Sequence, residues 1–237
     1  MKEIIKNGLI ELGLVEKVPE NAPELLEKYG QMLIEKNQVM NLTAITEPEQ
    51  VAKLHMLDCA ALVNCADFHG KTLIDVGTGA GFPGIPLKIL VPELEITLLD
   101  SLNKRVNWLN EVITELGLSG IKAIHARAEE QALVKGYRDS FDFVTARAVA
   151  DLRLLSEICL PYAKVGGTFL SMKSVGSDEE LQNAAHAVKF MGGRVRGSRD
   201  YTIPGTDVTH RVLLIDKVAP TLKGYPRRWT KIQKDPL

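Results

Sequence analysis

The sequence has few cysteines, no long apolar run and almost no net charge, and each shortage excludes a class of protein. Cys59, Cys65 and Cys159 are odd in number and form no C-x-x-C pair, which excludes a disulfide framework and gives no sign of a structural zinc site. Reduced core thiols are expected instead. No stretch approaches the roughly 18 uninterrupted apolar residues that a membrane span needs. The N-terminus, MKEIIKNGLIELGL, mixes charges through its apolar positions where a signal peptide would hold an apolar core. A cytoplasmic protein without a membrane partner or a metal is therefore expected, and nothing specifies an oligomeric state. What is present excludes disorder: 45% of the 237 residues are apolar, and 29 basic side chains balance 30 acidic ones.

The net charge of -1 conceals an asymmetry. Residues 189–237 hold eleven Lys or Arg against four Asp or Glu, whereas residues 1–188 hold 18 against 26. A basic tail on an acidic body points to a polyanion contacted from one side, although such a run also suits a solvated face.

Two regions differ in texture. Residues 1–70 read as a helical extension. Leu25, Tyr29, Met32, Leu33 and Met40 recur at helical spacing after Pro23, and Thr46 and Glu49 form a capping box before the stripe Val51, Leu54, Ala61 and Leu62. Residues 71–237 alternate short apolar runs with helical periods, the pattern of a parallel sheet covered by helices. Strands are expected at Thr72–Val76, Ile96–Asp100, Lys122–Ala126, Phe141–Ala146 and Thr168–Lys173. Helices are expected at Ser101–Leu116, capped by Ser101, and at Asp178–Met191. Arg194–Ile203 and His210–Lys217 should form an antiparallel hairpin on the sheet edge.

The chemistry concentrates in the loop Asp75-Val76-Gly77-Thr78-Gly79-Ala80-Gly81-Phe82-Pro83-Gly84, between the first strand and a helix. Its glycines let backbone amides approach a ligand, and the helix N-terminus adds a positive dipole end. Gly79 to Gly84 also spells G-x-G-x-x-G, with Asp100 about 20 residues on, so a nicotinamide dinucleotide is an alternative ligand. The charge of Asp75 separates the two. A carboxylate there would repel a pyrophosphate, but it would attract the ammonium and sulfonium of S-adenosylmethionine directly or through water, leaving Asp100 for the ribose hydroxyls. Ala128 and Glu129 follow the third strand where an adenine would lie, with Glu129 as a candidate acceptor for its exocyclic amine, although the segment suits equally a helix N-terminus decorated with acids. Arg147 follows the fourth strand, at the mouth of the sheet, where a binding residue is expected.

What is missing narrows the methyl acceptor. Base amines are generally methylated beside an Asn/Asp-Pro-Pro-aromatic turn, and Ala146-Arg147-Ala148 stands there instead. A pyrimidine carbon needs a thiolate, but Cys159 lies within Ile158-Cys159-Leu160 without a neighbouring base. A ring nitrogen with a free lone pair, such as guanine N7, needs no proton removed, so positioning would supply most of the rate. His55, Asp58 and Cys59 share a helical face and read as structural. His125, His186 and His210 have no partner at ligand spacing.

As a set, Asn41-Leu42-Thr43-Ala44, His55-Met56-Leu57-Asp58, the loop from Asp75 to Leu87, Leu99-Asp100-Ser101, Ala128-Glu129-Glu130 and Thr145-Ala146-Arg147-Ala148 resemble the glucose-inhibited division protein B family, and the resemblance runs through Tyr225-Pro226-Arg227-Arg228. That family comprises bacterial 16S ribosomal RNA guanine-N7 methyltransferases. The resemblance implies a class I methyltransferase: an α/β, Rossmann-like, seven-stranded and mostly parallel sheet with an N-terminal helical extension. It implies S-adenosylmethionine as cofactor and 16S ribosomal RNA or the small ribosomal subunit as partner. By position, Gly77, Phe82, Ala128, Glu129 and Arg147 would contact the cofactor or border its pocket, joining Asp75, Gly79 and Asp100 from the residue reading. Arg147 would also orient the acceptor, toward guanine O6 or the cofactor carboxylate. Trp229-Thr230 departs from the family's closing pattern. A fold that binds RNA without turnover, as an assembly factor, is the alternative outside enzymes.

Overall fold

The computed structural model describes residues 1–237. Three helical stretches come first: Lys2–Glu11, Ala22–Met40 and a continuous run over residues 48–64. Pro23 sits in the first turn of the second helix, and Asn41, at φ +50°, ends it in the left-handed conformation. Run 48–64 starts at Pro48 without the expected capping box. Glu49 turns away to pair with Lys53 at 2.6 Å, so it cannot reach back to the Thr46 backbone. The run widens to a π turn over Ala52–Leu57 and tightens to a 3-10 turn over Ala61–Asn64.

Seven strands follow: β1 (Thr72–Val76), β2 (Glu95–Asp100), β3 (Ile121–His125), β4 (Phe141–Arg147), β5 (Ala163–Ser174), β6 (Gly193–Thr202) and β7 (Thr209–Lys217). Their order is β3-β2-β1-β4-β5-β7-β6, parallel through β5 and closed by an antiparallel hairpin whose second strand pairs with β5. The central strands are apolar on both faces, as a covered parallel sheet requires. The helix after β2 covers Asn103–Glu115 and has Leu102 at its cap. No side chain caps it: Ser101 stands one residue ahead of the cap position, and the Leu102 amide donates to Asp100 Oδ1 at 2.9 Å. The helix expected at Asp178–Met191 is two, Asp178–Asn183 and Ala185–Phe190; the bend between them keeps Ala184, Val188 and Met191 buried in one cluster.

One face of the sheet packs the N-terminal helices together with those after β1 and β2. Leu26, Leu33 and Met56 share a core there with Ile85, Leu98 and Trp108. The other face packs helices Leu152–Cys159, Ala185–Phe190 and Trp229–Lys234 over Val144, Phe169 and Leu213. Strand order reverses at β1, which has β2 on one side and β4 on the other. Ligands of open α/β sheets bind in the crevice at that point, beyond the carboxyl ends of the strands.

Candidate active site

The crevice beyond β1 and β4 opens into a cavity of about 700 Å³, within the range of small-molecule sites. Gly77, Thr78, Gly79, Ala80 and Phe82 of the loop line it, with Arg105, Arg147, Lys173 and His210; from the N-terminal extension come Leu42 and Thr43, in the loop after its second helix, and His55 and Asp58, in the run 48–64.

The glycine loop is held from below. Gly77 and Thr78 donate their amides to Leu99 O, and Gly79 donates to Asp100 Oδ2 at 2.9 Å. Gly79 adopts φ +60°, and a Cβ there would meet nothing closer than 4.0 Å. Its backbone is therefore bare to the cavity, and only glycine takes this conformation without strain. Gly77 is shielded differently: a Cβ on it would come within 2.9 Å of Val149 in the segment after β4.

Asp75 lies beneath the loop, fully buried. Its Oδ2 accepts from Thr78 Oγ1 at 2.6 Å and Gly84 N at 3.0 Å, and its Oδ1 accepts from Thr145 Oγ1 at 3.3 Å. Burial pushes its pKa up to about 7, against these hydrogen bonds and the Arg147 charge. This corrects the expectation that Asp75 faces a cationic ligand. The side chain ties β1 to the loop and to the following helix, and does not reach the cavity. Asp100 is likewise buried. Besides the Gly79 amide it holds Leu102 N, and Arg105 stands 3.5 Å from it. Ala128 and Glu129 start a short helix after β3, and Ala128 O accepts the Tyr162 hydroxyl at 2.6 Å. They share the carboxyl edge of the sheet but lie outside the cavity wall, two strands from β1.

Arg147 sits at the centre of a network between the extension and the sheet. Its Nη1 donates to Asp58 Oδ2 at 2.9 Å and to Leu54 O, its Nη2 lies 3.1 Å from His55 Nδ1, and its guanidinium stacks over Phe82 at 4.8 Å. His55 stacks on the same ring at 4.5 Å. The π turn at Ala52–Leu57 brings His55 and Asp58 together toward the cavity. Asp58 Oδ1 binds Tyr201 Oη and His210 Nδ1, each at 2.7 Å. Burial alone would raise the Asp58 carboxyl, but His210, Arg147 and Tyr201 outweigh it and hold the group below its ordinary range. His210 is raised in turn by its bond to Asp58. Tyr29, from the second helix, donates to Ala80 O at 2.6 Å and ties the extension to the loop itself.

Several residues here escaped the sequence reading. His210 does have a partner, but it stands 152 residues earlier in the chain. Arg105 and Lys173 carry no motif of their own, and Thr43 lies within Asn41-Leu42-Thr43-Ala44, where the sequence alone gives it no role. The reading of His55 and Asp58 as structural understates them, since both line the cavity and hold Arg147. Cys159 is fully buried and its thiol is pushed far above its ordinary range, so no thiolate nucleophile stands here. The basic tail is also less free than its composition suggests. Arg227 grips the fully buried Glu157 through Nε, Nη2 and its backbone amide, Arg196 pairs with Asp216, and Arg211 with Asp178 and Asp200. Arg194 and Arg228 remain exposed.

Comparison with known proteins completes the description. The family model described as rRNA small subunit methyltransferase G matches residues 22–200. The ribosomal RNA small subunit methyltransferase G of Alkaliphilus metalliredigens is 45% identical over 237 residues, covering 100% of this chain and 98% of its own. That of Lachnoclostridium phytofermentans is 48% identical over 231 residues, covering 97% and 95%. Among solved structures, a mutant of MtNAS in complex with S-adenosylmethionine superposes with a TM-score of 0.56 at 17% identity, over 92% of this chain and 78% of that one, which is a likeness of fold.

Proposed function

The chain belongs to the rRNA small subunit methyltransferase G family, and from that premise we propose how its residues serve an S-adenosylmethionine-dependent transfer of a methyl group to N7 of a guanine in 16S ribosomal RNA. S-adenosylmethionine supplies a methyl group on a positively charged sulfur, open to attack by a lone pair in line with the departing bond.

The residues present fit such a donor. Gly77, Gly79 and Phe82 floor the cavity, and the bare backbone beside Gly79 is a cradle that a Cβ would fill. Arg105 lines it and Asp100 lies behind it at the end of β2, the position suited to ribose hydroxyls. Ala128 and Glu129 stand two interstrand spacings away, roughly 10 Å, a span for an extended nucleoside lying across β1 to β3. Asp75 supports this arrangement from below by fixing the loop. Arg147 presents its guanidinium at the end of β4 and is held there by Asp58, His55 and Phe82. Residues 1–70 act as a functional extension to the methyltransferase unit of residues 71–237, because Tyr29, His55 and Asp58 brace the loop and Arg147. Cytoplasmic location follows from the substrate; no helix is long and apolar enough to cross a membrane.

One observation carries the assignment of the acceptor side. The cavity wall holds Arg147 and a His55 whose two ring nitrogens are both engaged, and a guanine N7 lone pair needs no base to unmask it. The test is transfer of a labelled methyl group to 16S RNA and, separately, to small ribosomal subunits, with the product mapped by cleavage at N7-methylguanine. Methylation at another base atom, or none with either substrate, refutes the proposal.

A further inference from the structure

The network behind Arg147 has a polarity that can be followed atom by atom, and it ends on a hydroxyl. A guanidinium carries only donors, so Arg147 Nη2 donates to His55 Nδ1, 3.1 Å away. The ring proton of His55 therefore resides on Nε2, 2.9 Å from Thr43 Oγ1. Burial, and after it the Arg147 charge, pushes the imidazole pKa down to about 4, so the ring is neutral near pH 7 and has no second proton to offer. Thr43 Oγ1 also accepts the Ile45 amide at 3.0 Å. Both lone pairs of the hydroxyl are then engaged, and its own hydrogen is the capacity that remains. Asn37 makes the loop rigid: its Oδ1 accepts the amides of Leu42 and Thr43, and its Nδ2 donates to Thr43 O at 2.9 Å. Thr43 thus stands on the cavity wall as a fixed donor, with a direction set by a group that does not titrate in this range.

We propose that Thr43 determines base specificity by donating its hydroxyl hydrogen to the carbonyl O6 of the acceptor guanine. The inference rests on the guanine-N7 activity stated above and assigns a recognition residue to it. Guanine shows two neighbouring acceptors on its N7 edge, N7 and O6, whereas adenine replaces the second with an amino donor. A hydroxyl that can only donate is matched to the first and opposes the second, hydrogen against hydrogen. Arg147 is less free for the task, because Nη1 and Nη2 already serve Asp58, Leu54 and His55. Any acceptor oxygen would take this hydrogen, including the carboxylate of the cofactor, so the test separates the two sources.

Wild-type protein, Thr43→Val and Thr43→Ser are compared on 16S RNA carrying guanine or 2-aminopurine at the target position. 2-Aminopurine keeps N7 and lacks O6. Wild type and Thr43→Ser are expected to favour guanine by about tenfold in kcat/KM, the worth of one hydrogen bond, and Thr43→Val to show a preference below about twofold. Failure of wild type to methylate the guanine substrate removes the N7 activity itself, and this inference with it. Wild type indifferent to the loss of O6 overturns the inference while leaving that activity standing, and needs no variant to fold. An equal loss on both substrates in Thr43→Val, with the preference kept, makes Thr43 merely structural. Weaker S-adenosylhomocysteine binding by calorimetry with the guanine preference intact moves the contact to the cofactor carboxylate, and likewise overturns it.

Discussion

Asp75→Asn separates the two parts a buried carboxylate can play, binding a cation or holding a loop. The amide is isosteric. Its oxygen can accept from Thr78 Oγ1 and Gly84 N as Oδ2 does, and its NH₂ can donate to Thr145 Oγ1, so the loop should survive. What disappears is titration. Burial raises the Asp75 pKa from an ordinary 3.8 to about 7. Between those values the folded state binds more protons than the unfolded one, so the contribution of Asp75 to stability falls as pH rises through this window. A shift of about 3 units corresponds to about 4 kcal/mol at its limit, and the part between pH 5 and pH 8 to about 3 kcal/mol. The asparagine cannot lose it. Relative to wild type, Asp75→Asn should therefore gain about 3 kcal/mol from pH 5 to pH 8, or roughly 6–12 °C in Tm for a chain of this size. Urea unfolding and calorimetry of both proteins across that range measure the difference, and groups common to both cancel. S-adenosylhomocysteine affinity at pH 8 should fall less than about tenfold, because no contact to the cavity is lost. Parallel stability curves would refute the buried-titration argument. A loss of two orders of magnitude in affinity at unchanged stability would return Asp75 to direct contact with the ligand.

Three further perturbations test neighbouring parts of the argument. Arg147→Ala should lose methyl transfer and also stability, by about 3–5 kcal/mol, since Asp58 keeps its charge in a buried site without the guanidinium; Arg147→Lys should recover little, and wild-type turnover in both would make Arg147 a bystander. Arg227→Ala should lower Tm through the buried Glu157 and leave the salt dependence of RNA binding unchanged, whereas replacing exposed Arg194 and Arg228 should flatten that dependence in filter-binding titrations; the reverse pattern would restore the whole tail to an RNA surface. Tyr29→Phe leaves Ala80 O without its donor inside the core, so it should cost about 1–3 kcal/mol and raise KM for the cofactor; an unchanged KM would separate the extension from the loop.

The parallel half of the fold was legible in the chain because its cause is local. Apolar runs bounded by turn residues mark the five parallel strands to within a few residues, β5 excepted at its start, since the central strands, covered on both faces, must be apolar along their length. The caps expected at Thr46 and Ser101 do not form, for a physical reason. Lys53 draws Glu49 away from Thr46, and the helix after β2 begins at Asn103, so Leu102 and not Ser101 stands at its cap position. The hairpin is legible as two extended segments a turn apart, but which of its strands meets β5 depends on how the chain folds back over the sheet edge.

The site divides along the same line. Glycine spacing after β1 and the carboxylates at strand ends could be read in order, because backbone conformation and strand position follow from neighbouring residues; so the sequence alone determined that a glycine turn stands at the carboxyl end of β1, with Arg147 near it at the end of β4. The tertiary structure decided what each charge faces. Asp75 turned under the loop because its oxygens find Thr78, Gly84 and Thr145 there, and the loss of hydration at that depth favours a carboxyl fully engaged by the protein. Asp58 gathers Arg147, Tyr201 and His210 from strands 89 to 152 residues away, and Arg227 leaves the basic surface to neutralise Glu157 from 70 residues off. A buried charge takes its partner from whatever the packing brings within about 3 Å, and sequence separation has no bearing on that distance.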